Sequence, residues 1–269
     1  MVLDRPFVPS RLNAAFSHTG SRPARSVLGA YVALTKPRII ELLLITTIPS
    51  MVLAADGWPN TALVVWTVVG GALAAGGANA INMYIDRDID GLMERTRNRP
   101  IVTGRIAPRN ALVFAVSLEI VAFGVLFVSS NLLAASLAIA ATLFYVFVYS
   151  LWLKRTSRQN IVIGGAAGAV PVLVGWAAVR NEVSWSAVVL FLVIFLWTPP
   201  HFWALAIRHA DEYRAAAVPM LPVVETSART VRTMGWYSVA VALASLALVP
   251  LNDMGVVYLA SAVVLGVAF

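Results

Sequence analysis

The sequence predicts an all-α fold, a polytopic transmembrane helical bundle, and three observations carry that reading. Hydrophobic residues fill 59% of the 269 positions against 12% charged, and the mean hydropathy is +0.81, a balance that water-soluble domains do not show. Eight apolar runs approach the roughly 20 residues that a bilayer core of about 30 Å requires of a helix. Basic residues gather in alternate links between those runs, the signature of a chain threaded back and forth through a membrane.

Taken in order, the runs fall near 39–55, 61–83, 111–128, 132–151, 161–179, 185–206, 234–251 and 255–269. Several are interrupted by Gly, Pro or one polar residue, as Pro49 interrupts the first and Pro199-Pro200 the sixth. Strands are excluded because a spanning barrel needs alternating segments of about ten residues, and these runs are long and unbroken. The eighth run is still hydrophobic at Phe269, which leaves room for a ninth helix. We expect residues 1–30 to form a tail and 31–269 a single transmembrane domain, since no repeat or low-complexity tract divides the chain.

The net charge of +7 follows the same layout. Residues 1–38, 84–109, 152–160 and 207–233 hold 19 of the 20 Lys and Arg, and the opposite links hold one, Arg180. The positive-inside rule then sets the N-terminus in the cytoplasm and accounts for the charge without nucleic acid. The first 27 residues lack an apolar core, so no secretory signal peptide is expected. A bacterial inner (plasma) membrane is favoured over the mitochondrial inner membrane. With no cysteine, disulfides and thiolate ligands are excluded.

The links on the opposite side are 3 to 5 residues long, whereas two on the basic side run to about 25. Long polar links of this kind tend to be functional. The first follows the second run, where Asn79, Asn82, Asp86 and Asp90 recur at helical spacing on one face. Two carboxylates with amide neighbours suit a hard dication such as magnesium, which binds through one or two carboxylates and substrate phosphate oxygens. Arg95, Arg97 and Arg99 come next, and the planar guanidinium matches phosphate; a topological role for these arginines is the alternative.

Leu34-Thr35-Lys36-Pro37-Arg38, the Asn82/Asp86/Asp90 motif running into Arg95-Thr96-Arg97-Asn98-Arg99-Pro100, and Trp197-Thr198-Pro199-Pro200-His201-Phe202-Trp203 resemble the protoheme IX farnesyltransferase (haem O synthase) branch of the UbiA-type intramembrane prenyltransferases. Leu153-Lys154-Arg155-Thr156, Asn160 to Gly165 and Pro219 to Val224 add to the likeness, which spans roughly residues 28–250. The Asn/Asp motif marks the superfamily, and the Pro-Pro-His-Phe-Trp run selects the haem branch.

The resemblance implies transfer of a farnesyl group from farnesyl diphosphate to haem B, with addition of water. Mg2+ at Asp86 and Asp90 would hold the diphosphate, with Asn79 and Asn82 assisting. Where members of the superfamily carry a second aspartate-rich motif, this chain has Asp211-Glu212, a departure from the full repeat. Asp211 is carried over as a substrate-binding candidate. Lys36, Arg38, Arg95, Arg99, Lys154 and Arg155 are candidates for diphosphate or haem propionates. His201 could ligate haem, meet a propionate or move a proton, or be an interfacial histidine bonded to a backbone carbonyl. Aromatic faces for the prenyl cation are available at Phe144, Tyr145, Tyr149, Trp176, Trp197 and Trp203. Glu41 is expected to face the bundle interior. Membrane lipid, and haem A synthase or terminal-oxidase assembly factors, are the further partners implied. A prenyltransferase for a quinone or aromatic acceptor, and a secondary transporter, are the competing readings.

Overall fold

The computed structural model describes residues 27–268, every regular element among them helical. Short polar signals set the boundaries. Lys36 adopts a left-handed backbone (φ 54°) between α1 (Val27–Thr35) and α2 (Pro37–Ala54), where Pro37 opens the second helix; a residue ahead of proline is barred from continuing the first. The Asn60 side chain accepts from the Ala62 and Leu63 amides to start α3 (Thr61–Ile85), an N-cap that satisfies two otherwise orphaned donors. A single turn, α4 (Arg87–Asp90), prolongs it. Pro108 opens α5 (Pro108–Ser129), and Asn131 caps α6 (Leu132–Leu143).

From Leu143 the chain widens into a π-helical segment, Phe144–Leu153, that ends in the turn α7 (Lys154–Thr156). Then come α8 (Asn160–Arg180) and, capped by Ser184, α9 (Trp185–Arg208). Two short pieces, α10 (Ala210–Ala215) and α11 (Leu221–Val224), lead to α12 (Ser227–Leu251), capped by Thr226, and α13 (Val256–Ala268).

All eight apolar runs fold as helices, but they do not all fold as full spans. Among the described residues six helices are long and apolar enough to cross a membrane: α3, α5, the continuous Leu132–Thr156, α8, α9 and α12. The bent pair Val27–Glu41 and Leu43–Ala54, kinked by 47°, has together the length and apolarity of a broken span or a re-entrant loop, and the helical structure begins inside the segment expected as tail. The eighth run is described as α13 over 13 residues, Val256–Ala268, about 20 Å at 1.5 Å per residue.

Small residues let the helices close on one another. A Cβ at Gly70 would overlap Leu126 on α5, and one at Gly175 would meet the Thr47 backbone on α2. The Ser50 hydroxyl donates to the Val172 carbonyl at 2.6 Å, tying α2 to α8. Met51, Val64, Ala74, Ala122, Leu126 and Ala177 form the central core. Outside it, Val128, Val257 and Val267 are more than 80% exposed, a surface that requires lipid. Arg180 is held by Asp56 at 2.8 Å and by the Ala54 carbonyl.

One acidic residue departs from its expected place. Glu41 is exposed, not interior. The deep carboxylate is Glu119 of α5, 9% exposed, which accepts from Thr142 at 3.2 Å and rests where Gly77 has no side chain. A lone Glu within the third apolar run was the signal for it.

Candidate active site

The end of α3 and the turn α4 carry two carboxylates into a buried setting, Asp86 at 0% and Asp90 at 1% exposure. Helical spacing keeps Asn82, Asp86 and Asp90 on one face, and the neighbouring helices supply partners. Asn82 Nδ2 donates to Asp86 Oδ2 at 2.7 Å and to Ser150 Oγ at 3.2 Å, while its Oδ1 accepts from Lys36 Nζ at 2.9 Å. Lys154 pairs with Asp86 Oδ2, and Arg155 Nη2 lies 3.9 Å from Asp86 Oδ1. Arg99 Nη1 meets Asp90 Oδ2 at 2.5 Å, and the Thr96 hydroxyl donates to the Asp90 carbonyl at 2.8 Å, closing the turn that returns Arg99 to the site. Lys36 reaches Asn82 from its left-handed link, a strained conformation placed at the site.

Each carboxylate keeps one oxygen back. Asp86 Oδ1 and Asp90 Oδ1 are buried and accept no hydrogen bond, a costly state for a carboxylate unless something else compensates it. Burial pushes the Asp90 carboxyl up from its ordinary range, with Arg99 opposing. No group of three or more His, Cys, Asp or Glu that could hold a metal exists among the described residues. Two hard oxygen donors fit a dication that completes its shell with waters and phosphate, as magnesium does.

The π-helical segment forms the facing wall. Its wider i→i+5 turn carries Ser150 and Lys154 toward α3, where they meet Asn82 and Asp86. Tyr145 stacks on Tyr149 at 5.3 Å and 16°. Tyr149 lies flat on α8 at Gly164, where a Cβ would overlap its ring.

The remaining candidates divide. Arg155 forms a two-toothed pair with Asp88, 2.7 Å at each oxygen, and donates to the Ile85 carbonyl at 3.2 Å, so it also ends α3. Asn79 donates to the Thr35 carbonyl at 2.9 Å and fastens the end of α1, with no hydrogen bond to the carboxylates. Arg38 is exposed. Arg95 joins the two long basic links: its backbone amide donates to Glu212 at 3.4 Å and its guanidinium to the Tyr213 hydroxyl at 3.3 Å. Asp211 is 98% exposed and paired with Arg214 at 2.5 Å, outside the buried cluster. Glu212 is engaged by His209 at 3.1 Å.

His201 stands apart from the carboxylates. Its ring stacks on Trp197 at 4.3 Å and lines a groove of about 370 Å³ between α9 and α12, with Arg208, Met234 and Ser238. Of the other aromatic candidates, Trp176 packs with Ala54 and Ala187 at the far end of the bundle, and Trp203 packs against Tyr237. His18 lies outside the described residues. Ser150 was missed in the sequence; a hydroxyl four residues ahead of Lys154 in an apolar run was the available signal.

A membrane bundle that buries two carboxylates among lysine and arginine at one end defines an intramembrane enzyme, one equipped for a charged substrate head with an apolar tail. Residues 43–269 match the UbiA prenyltransferase family, and the chain belongs to that family. It is 54% identical to the protoheme IX farnesyltransferase of Kineococcus radiotolerans, over 97% of this chain and 77% of the relative. Solved structures share the fold: digeranylgeranylglyceryl phosphate synthase (TM-score 0.74, 18% identity, 90% of this chain and 84% of that one), and a UbiA homologue of Archaeoglobus fulgidus bound to GPP and Mg2+ (TM-score 0.70, 19% identity, 89% and 84%).

Proposed function

We propose that this chain transfers the farnesyl group of farnesyl diphosphate to a vinyl group of haem B, with addition of water, and releases diphosphate. The observation that carries the chemistry is the pair of free buried oxygens on Asp86 and Asp90, ringed by Lys36, Lys154 and Arg99. The haem acceptor is supported by the identity to protoheme IX farnesyltransferases.

Asp86 and Asp90 would hold Mg2+, which when bound supplies charge to offset the leaving diphosphate. The chain's own cations do the same. Breaking the allylic C–O bond leaves negative charge on the diphosphate, and Lys36, Lys154 and Arg99 already point to that place in a site shielded from water, where fixed charges count most. Asn82 orients both Lys36 and Asp86 by its side-chain bonds. The electron-poor prenyl carbon then lies beside the stacked Tyr145 and Tyr149 faces, which attract a cation without reacting with it. A vinyl carbon of haem forms the new C–C bond, and water adds to the cation left on the neighbouring carbon, losing a proton to give the hydroxyl.

His201 and Arg208 in their lateral groove provide an imidazole and a guanidinium for haem iron or propionate on its way to the site. The basic side faces the cytoplasm of a plasma membrane, where farnesyl diphosphate and magnesium are met. The test is purified protein with haem B, farnesyl diphosphate and magnesium, products read by mass: haem O is expected, and a farnesylated quinone or aromatic acid formed in preference to haem O would overturn the acceptor.

A further inference from the structure

α8 is the most buried of the spanning helices, and its glycines are nearly all contact points. A Cβ on Gly164 would strike Tyr149, one on Gly165 the Thr198 side chain, and one on Gly175 the Thr47 backbone. Gly168 differs. A Cβ there meets no heavy atom within 4 Å, although half of the helix's apolar window is buried.

The position of that open space gives it meaning. Gly164, Gly168 and Val172 follow at intervals of four and so share a face. Gly164 seats Tyr149, next in sequence to the Ser150 that bonds Asn82 beside Asp86. Val172 lines an apolar cavity of about 730 Å³ with Ile45, Pro49, Val193, Ile194 and Leu248. Eight residues at 1.5 Å each make about 12 Å from the tyrosine to the cavity, a span that two to three extended isoprene units cover. A tail leaving a diphosphate held at Asp86 and Asp90 therefore passes Gly168 before it reaches the cavity.

We infer that Gly168 sets the length of prenyl chain the enzyme accepts, its missing side chain leaving the passage for the distal isoprene units. The inference rests on the proposed prenyl transfer at Asp86 and Asp90. A Cβ at 168 meets no protein atom within 4 Å, so alanine adds bulk to the passage without an overlap at its first atom, and loss of a glycine inside a helix favours folding by itself.

The experiment compares Gly168→Leu and Gly168→Ala with the unaltered protein, using non-reactive thio-analogues of geranyl and farnesyl diphosphate in calorimetry with magnesium, and both diphosphates in turnover with haem B. Gly168→Leu should weaken the farnesyl analogue by about tenfold or more relative to the geranyl analogue, with Gly168→Ala intermediate. Gly235→Leu, at an exposed glycine of α12 that also has no neighbour within 4 Å, should leave the ratio unchanged. Equal weakening of both analogues, or none, overturns the inference. Calorimetry needs no acceptor, so failure of the haem reading alone leaves this test standing; an unaltered protein that binds neither analogue overturns the prenyl-transfer reading itself. Should the leucine variant fail to fold, an unmoved ratio in Gly168→Ala counts against the inference.

Discussion

The two long links on the basic side place the same residue types in opposite settings. In the first, Asp86 and Asp90 are buried to within 1% of full cover and answered by Asn82, Lys154 and Arg99. In the second, Asp211 is 98% exposed and meets only an arginine one turn along its own helix, an arrangement worth little in water. An Asp becomes a site through what neighbouring helices bring to it. The carboxylates of the first link lie under Lys36, Ser150 and Lys154 from other parts of the bundle, and Asp211 in the second has no such partner. Among the described residues the two links are accordingly asymmetric, with a buried carboxylate pair in the first alone.

The largest effect should come from erasing that difference. Asp86→Asn or Asp90→Asn should lower turnover by about a hundredfold or more, the scale of losing a main electrostatic stabiliser, whereas Asp211→Asn should stay within about twofold. Steady-state rates over a magnesium series check this, and equal losses at all three positions would dissolve the contrast.

Next is the wall opposite the carboxylates. Gly164→Ala should push Tyr149 off α8 into the site and reduce kcat by about tenfold, a strain of 1–3 kcal/mol being typical of overpacking. Gly164→Ala combined with Tyr149→Leu should recover part of the loss, because the shorter side chain vacates the overlap. No recovery would mean the tyrosine is not the group displaced.

Among the arginines, the contrast lies between Arg99, which grips Asp90 at 2.5 Å, and Arg95, which bridges to Glu212 and Tyr213. Arg99→Lys should raise KM for the prenyl diphosphate about tenfold, since a point charge replaces a planar fork. Arg95→Lys should raise it no more than about threefold. Reversed magnitudes would move the phosphate contact to the link between the two loops.

The smallest effect concerns Asp88, whose carboxyl Arg155 holds down to about 2 by a direct side-chain hydrogen bond. A depressed value means that the pair contributes in full above the ordinary carboxylate range and loses its contribution as pH falls toward 2. With Asp88 58% exposed, the contribution should stay below about 1 kcal/mol. Melting of the detergent-solubilised protein should show Asp88→Asn below the unaltered chain at pH 6, with the gap about halved at pH 3 and closing only below pH 2. A gap that persists there would place the effect elsewhere.

Much of this was legible because hydropathy and helical spacing are local properties. All eight runs became helices, and the i, i+4 pattern put Asn82, Asp86 and Asp90 on one buried face. What the sequence did not disclose depends on which helices meet. Lys154 and Arg99 were two of several basic candidates until the bundle paired them with Asp86 and Asp90, while Arg38 and Asp211 stayed outside. His201 was read as a possible haem contact, and the bundle sets it in a groove beside α12, stacked on Trp197, which its sequence position alone did not disclose. Glu41 proved exposed and Glu119 buried for the same reason: an acid in an apolar run is visible, but its facing is a tertiary fact.

The π-helical stretch makes one side of the site a matter of counting. Because its wider turn brings Ser150 and Lys154 onto the face that meets α3, the segment works as a ruler whose graduations are residues. Exchanging a lipid-facing member such as Phe147, which is 60% exposed, leaves the ruler intact. Removing that residue would tighten the coil by one position and swing Lys154 away from Asp86, although every side chain of the site would still be present. Length, rather than composition, is what this strand of the machinery cannot give up.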